Sequence, residues 1–228
     1  MVAGVIFTVM ISIGLPFIAL LYAFYKKKYI PFGLGILAFV VSQILLRIPL
    51  MQYIGQNSAA YSMFSVTQPV LFAVVIGLSA GIFEGLARYI AMRFLMKQRD
   101  WQSGFLFGAG HGGIEAVLFV GISSVSLLFS SSMIISGDLY FVGGIERLFA
   151  MLLHIGLSIM ILQGIVKKRF IYVILAILIH WFIDSLVGIL PLYLSGNNAL
   201  IAIEVTLAIT ALAVFIYSLW IRRKGVLE

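Results

Sequence analysis

Apolar runs, each long enough to cross a bilayer, alternate with short polar breaks along the whole 228-residue chain. About 20 apolar residues span the hydrocarbon core. On that measure the pattern predicts seven helices, at residues 2–25, 30–54, 66–96, 103–129, 139–166, 170–194 and 199–221. The breaks alternate in character. Lys26-Lys27-Lys28, Lys97 to Asp100, Lys167-Lys168-Arg169 and Arg222-Arg223-Lys224 are basic, whereas Gln56-Asn57-Ser58, Ser130-Ser131-Ser132 and Ser195-Gly196-Asn197-Asn198 carry no lysine or arginine. Basic loops stay in the cytoplasm, so the expected topology has the N-terminus outside and the C-terminus cytoplasmic. The first run is too long for a signal-peptide core and no small-residue cleavage site follows it, so it is expected to be retained. The predicted fold class is all-α: a polytopic membrane helical bundle, one domain over residues 1–228, with residues 66–194 as its site-bearing core.

Composition agrees. The chain is 63% hydrophobic and 10% charged, against about a quarter charged in soluble domains. The net charge of +7 lies in the loop clusters, where topology accounts for it and no nucleic-acid partner is needed. Cysteine is absent, which excludes disulfides, thiol nucleophiles and thiolate ligands, so any metal must be held by nitrogen and oxygen.

Seven ionisable residues, including every histidine, interrupt four consecutive apolar runs: Glu84, His111, Glu115, Glu146, His154, His180 and Asp184. Such groups are costly in hydrocarbon and mark functional sites. Measured from the basic ends at ~1.5 Å per residue, Glu84 lies roughly 20 Å in, His111 roughly 12 Å, Glu115 and His154 roughly 18 Å, His180 roughly 15 Å and Asp184 roughly 21 Å. Four helices thus bring polar groups to one layer near mid-membrane. Glu146, beside Arg147 near the outer end of its helix, reads as an interfacial charge or gate, and Arg47 as a residue snorkelling to the interface. Gly77, Gly81 and Gly85, and likewise Gly104, Gly108 and Gly112, recur every four residues, a spacing that lets membrane helices approach closely. At ~100° per residue, Glu84 and Arg88 fall within about 20° of Gly77, and His111 and Glu115 stand in the same relation to Gly104. Both pairs are therefore expected to face the interior.

Histidine with carboxylate is the donor set of a zinc site, which in catalytic form keeps three protein ligands and one open position. His111, His180 and one of His154 or Asp184 are the expected zinc ligands, with Glu84 or Glu115 accepting a proton from water. Arg88 either orients Glu84 or stabilises an oxyanion, or simply forms a buried ion pair. Other motifs fail. There is no His-Glu-x-x-His. Gly121-Ile122-Ser123-Ser124 has no histidine at its depth, and Ser136-Gly137-Asp138 lacks the first glycine of the aspartyl-protease motif and falls in an outer loop.

These residues resemble a family. Phe83-Glu84-Gly85-Leu86-Ala87-Arg88-Tyr89, Gly108-Ala109-Gly110-His111-Gly112-Gly113-Ile114-Glu115-Ala116, Glu146-Arg147 with His154, and His180-Trp181-Phe182-Ile183-Asp184 resemble the YhfC family of bacterial intramembrane metalloproteases. That family is similar to the type II CAAX prenyl endopeptidases, the PrsW proteases and the APH subunit of gamma-secretase. By resemblance to the CAAX enzymes, Glu84 and Arg88 match the Glu-Glu-x-x-x-Arg motif that supplies the base, His111 the next histidine, and His180 with Asp184 the final His-x-x-x-Asn/Asp. Gly85 replaces the second glutamate, a place Glu115 can fill. The resemblance implies a multi-pass protein of a bacterial plasma membrane and a membrane-protein or lipidated-peptide substrate, while the APH subunit is a scaffold. The expected function is zinc-dependent peptide-bond cleavage within or near the cytoplasmic half of the bilayer. The alternatives are a non-catalytic scaffold with a buried polar network and a proton-coupled transporter. The sequence gives no oligomeric state.

Overall fold

The computed structural model describes residues 2–129 and 137–227. Ser130-Ser131-Ser132, Ser136 and the side chain of Asp138 lie outside the described residues. Seven helices are long and apolar enough to span a bilayer: α1 (Val2–Tyr25), α2 (Tyr29–Asn57), α4 (Pro69–Leu95), α5 (Trp101–Leu128), α6 (Leu139–Val166), α7 (Ile171–Tyr193) and α8 (Asn197–Arg223). A short helix, α3 (Ala59–Thr67), precedes α4.

The hydropathy pattern merges the end of α3 with α4, and local chemistry separates them. Gln68 precedes Pro69 and holds φ −133°, ψ 57°, outside the helical region that a following proline disfavours. Ser58 caps α3 by accepting from the Tyr61 N–H at 3.2 Å, satisfying one of the donors a helix start leaves free. The Tyr61 and Phe64 rings pack on Phe72. At the start of α5, Asp100 accepts from the Ser103 N–H at 3.0 Å, which sets that boundary two residues ahead of the expected one.

Pro16, Pro49 and Pro191 sit inside spanning helices without breaking them. Pro16 and Pro49 each lack an N–H, so each leaves a carbonyl one turn earlier without its usual donor. In both helices a widened π-helical stretch lies just before the proline, Met10–Gly14 in α1 and Val40–Arg47 in α2. π turns also interrupt α4 at Ala91–Leu95 and α5 at Val117–Gly121. Such widenings are common where a helix carries function, and the one in α2 presents Gln43 and Arg47.

α6 is the central helix, touched by α1, α5, α7 and α8, while α4 lies along α7 and α2 along α5. The two glycine seams do not face each other. A Cβ on Gly77 would stand 2.5 Å from Ser185 Oγ and one on Gly81 would stand 2.8 Å from the Ile177 carbonyl, so the α4 seam receives α7. The α5 seam receives α6: a Cβ on Gly108 would meet Ile155 Cα at 2.5 Å, and one on Gly112 would meet His154 Cβ at 3.0 Å. Gly35 and Gly110 make a third approach, each set against a backbone carbonyl (of Phe107 and Phe32) where no Cβ fits. Backbones this close bring the polar side chains of α4, α5, α6 and α7 within reach of one another.

Candidate metal centre

The four site-bearing helices converge on the carboxylate of Glu84, which is 4% exposed. Its Oε2 lies 3.0 Å from His111 Nε2, 3.7 Å from His180 Nδ1 and 4.0 Å from His154 Nδ1. The His154 ring centroid is 5.3 Å from that of His111 and 5.4 Å from that of His180, so three imidazoles surround one oxygen. All three rings are buried. The Phe39 ring packs edge-on against His111 at 5.3 Å and closes that flank with hydrocarbon.

Charged neighbours then orient the members of this cluster. Arg88 Nη2 donates to Glu84 Oε2 at 2.8 Å and approaches His154 Nδ1 at 2.6 Å. A guanidinium can only donate, so His154 Nδ1 accepts and the ring proton belongs on Nε2. That nitrogen stands 2.6 Å from Glu115 Oε2, close but out of line for a hydrogen bond. On the far side of His180, Nε2 stands 3.6 Å from Asp184 Oδ2. Two histidines thus turn Nδ1 to the centre and Nε2 towards a carboxylate, the placement from which an outer-shell acid can orient a metal-ligating ring.

The donor set fits a divalent cation. Ligand atoms of Glu84, His111 and His154 lie within 4.8 Å of one another. Ligands at ~2.0–2.1 Å from a tetrahedral ion sit about 3.4 Å apart, so small side-chain rotations close the site. His180 Nδ1 is buried, aimed at the same oxygen and without a hydrogen-bond partner, as a ligand atom is. Nitrogen and carboxylate oxygen suit zinc and its first-row neighbours.

Of the residues expected from sequence, Glu84, Arg88, His111, His154 and His180 come together at the centre. Glu115 and Asp184 stand behind two histidines. Asp184, with its side chain 32% exposed, reaches only the outer nitrogen of His180 in this arrangement, because its place on α7 puts it one turn beyond the converging layer.

Gln43, Arg47, Glu146 and Arg147 extend this polar network. Gln43, buried in the π-helical part of α2, donates to Glu84 Oε1 at 2.6 Å. Arg47 does not snorkel to the interface: it donates to Ser79 Oγ at 2.9 Å, to Gln43 Oε1 at 3.1 Å and to the Ile76 carbonyl at 2.9 Å. Within an apolar helix, inward acceptors outcompete a long reach to water. Glu146, expected as an interfacial charge or gate beside Arg147, is tied into the network. Its carboxylate pairs with Arg147, which donates to Glu115 Oε1 at 3.1 Å, so the polar network runs on from His154 through Glu115. A glutamine and an arginine on a helix without histidine or acid offered one usable signal, their i,i+4 spacing.

Residues 9–140 and 139–210 match the family described as YhfC intramembrane metalloprotease. The chain belongs to the YhfC family. A Bacillus subtilis (strain 168) protein described as "Uncharacterized membrane protein YhfC" is 32% identical over 192 residues, covering 70% of this chain and 74% of that one. No solved structure matches. With its seven apolar spans, this YhfC member is a multi-pass integral membrane protein whose buried Glu/His cluster can hold a metal.

Proposed function

We propose that this protein is a zinc-dependent intramembrane peptidase, in which His111 Nε2, His180 Nδ1 and, once the ion takes the place of the Arg88 contact, His154 Nδ1 hold the metal and Glu84 is the general base. The observation that carries this reading is the convergence of those three ring nitrogens on Glu84 Oε2 at 3.0, 4.0 and 3.7 Å. A bound zinc would supply Lewis acidity, bringing the pKa of water towards neutrality and polarising the peptide carbonyl. Glu84 Oε2 takes the proton of the attacking water and passes it to the leaving amine nitrogen, so that water and amide give acid and amine. Gln43 and Arg88 hold the carboxylate in place for both transfers. Glu115 and Asp184 stand behind the outer nitrogens of His154 and His180, where acids orient ligating imidazoles once they accept the ring N–H.

Protein purified in detergent without chelator is expected to carry about one equivalent of zinc, the load of a three-ligand catalytic site. His111→Ala is expected to lose it and Glu84→Gln to keep it while losing cleavage. Wild-type protein that neither contains nor takes up a divalent metal would end this assignment.

A second reading draws on the contact of Arg88 Nη2 with both Glu84 and His154. A guanidinium there neutralises the cluster without any ion, as a scaffold would require. The same metal measurement separates the two readings.

A further inference from the structure

The centre is open at one end of the bundle and closed at the other. A cavity of about 260 Å³ reaches Glu84 and His180, and its remaining wall includes Gln43, Arg47, Ile76 and Val187. The wall residues beyond the centre lie on one side of the histidine layer. Along α4, Ile76 and Ala80 precede Glu84; along α7, Asp184 and Val187 follow His180; along α5, Glu115 and Phe119 follow His111. All three directions lead to the ends joined by the loops without lysine or arginine. At 1.5 Å per residue, Ile76 and Val187 stand about 10–12 Å beyond the centre.

In the opposite direction buried side chains cover the centre. Arg88 is 1% exposed, and Met92, Leu106, Phe107, Leu157 and Ile161 on the basic-loop side are buried to within 2%. Interiors packed at native density leave few voids large enough for water. The open cavity has a mixed wall in which Gln43, Arg47 and Asp184 stand among apolar residues, so it offers partners to water and to a peptide backbone.

We infer that water and substrate reach this centre from the neutral-loop end, so that its substrates are peptide segments presented on the non-cytoplasmic side of the membrane. The first half rests on the cavity and the second on the positive-inside alternation of the loops and on the peptidase reading above. It reverses the cytoplasmic-side cleavage expected from sequence. The physical reason is that depth along a helix says nothing about which way a buried cluster opens.

The absence of cysteine makes the test direct. Single variants Val187→Cys at the mouth, Ala80→Cys on the cavity wall and Lys97→Cys in a basic loop are exposed to a membrane-impermeant, positively charged methanethiosulfonate. The reagent is applied to right-side-out and to inside-out vesicles. Val187→Cys and Ala80→Cys are expected to be modified in right-side-out vesicles only, and Lys97→Cys in inside-out vesicles only. Modification of Val187→Cys from the Lys97→Cys side, or from neither side, overturns the inference. Val187 lines the cavity and is half-exposed, so a cysteine there needs no repacking and its variant folds even if Ala80→Cys, at a 4%-exposed position, does not. Labelling does not require activity. Zinc content measured on the same preparations therefore shows separately whether the peptidase reading has failed.

Discussion

Gln43 Nε2 donates to Glu84 Oε1 across 2.6 Å, joining α2 to the site-bearing helices by a bond between two buried side chains. Hydrogen bonds to charged groups contribute about 1.5–3 kcal/mol. Gln43→Leu leaves a carboxylate oxygen unpaired in hydrocarbon and is expected to destabilise the folded protein by about that amount. Thermal unfolding in detergent checks this, and an unaltered midpoint removes Gln43 from the site.

Glu84 and Arg88 form an ion pair at 2.8 Å with side chains 6% and 1% exposed. Removing one partner of a buried pair costs about 3–5 kcal/mol, because the other charge is stranded. Arg88→Met alone is expected to destabilise more than the Glu84→Leu/Arg88→Met double variant, and a double-mutant cycle measures the difference. Additive single effects would show that the guanidinium finds its stability elsewhere.

Glycines in this bundle divide by what surrounds them. Gly108→Ala puts a methyl 2.5 Å from Ile155 Cα and forces α5 away from α6, with an expected loss of about 1–3 kcal/mol. A Cβ on Gly143 would have nothing within 4 Å, so Gly143→Ala is expected to be neutral or to gain up to about 1 kcal/mol through helix propensity. Unfolding midpoints that shift in the same direction would contradict this packing.

Glu115 stands 2.6 Å from His154 Nε2 and Asp184 stands 3.6 Å from His180 Nε2. Loss of such orienting acids weakens metal affinity by roughly 10–100-fold. Glu115→Gln and Asp184→Asn are expected to retain the ion at saturating zinc but to bind it that much more weakly. Titration against a competing chelator reads the shift, and wild-type affinity in both variants rules out the orienting role.

At the basic end, Asp100 binds Lys28 Nζ at 2.5 Å and caps α5 through Ser103. Burial pushes its carboxyl pKa up, but the hydrogen bonds from Lys28 and from the Ser103 N–H and hydroxyl outweigh it and hold the value below that of a free aspartate. A depressed folded-state value adds stability above the unfolded pKa of about 3.9, and that stability is lost as pH falls through the lower folded value. Asp100→Asn is therefore expected to melt below wild type at neutral pH, with the gap closing in acid below that range. A gap independent of pH would mean the cap acts without its charge.

Much of the site was legible because histidine and acid are conspicuous in apolar helices. Glu84, His111, His154 and His180 stand out by cost alone, and a common depth predicts their meeting. Their roles were less legible. Asp184 and His180 share a helical face, yet only the rotation of α7 against α4 decides that Nδ1 faces Glu84 and Nε2 faces Asp184. Arg47 illustrates the limit: a long cation near a helix end can reach either outward to water or inward to Gln43 and Ser79, and sequence does not rank those paths.

Hydropathy along the chain by itself determined the seven spans and their alternating loops, since the cost of exposing backbone or charge to hydrocarbon is local to each segment. Packing decided the rest. Which helices the glycine seams receive, which nitrogen each imidazole turns inward and which end of the bundle stays open depend on contacts between residues far apart in the chain. Those contacts exist only once the backbones have closed to within a side chain's width.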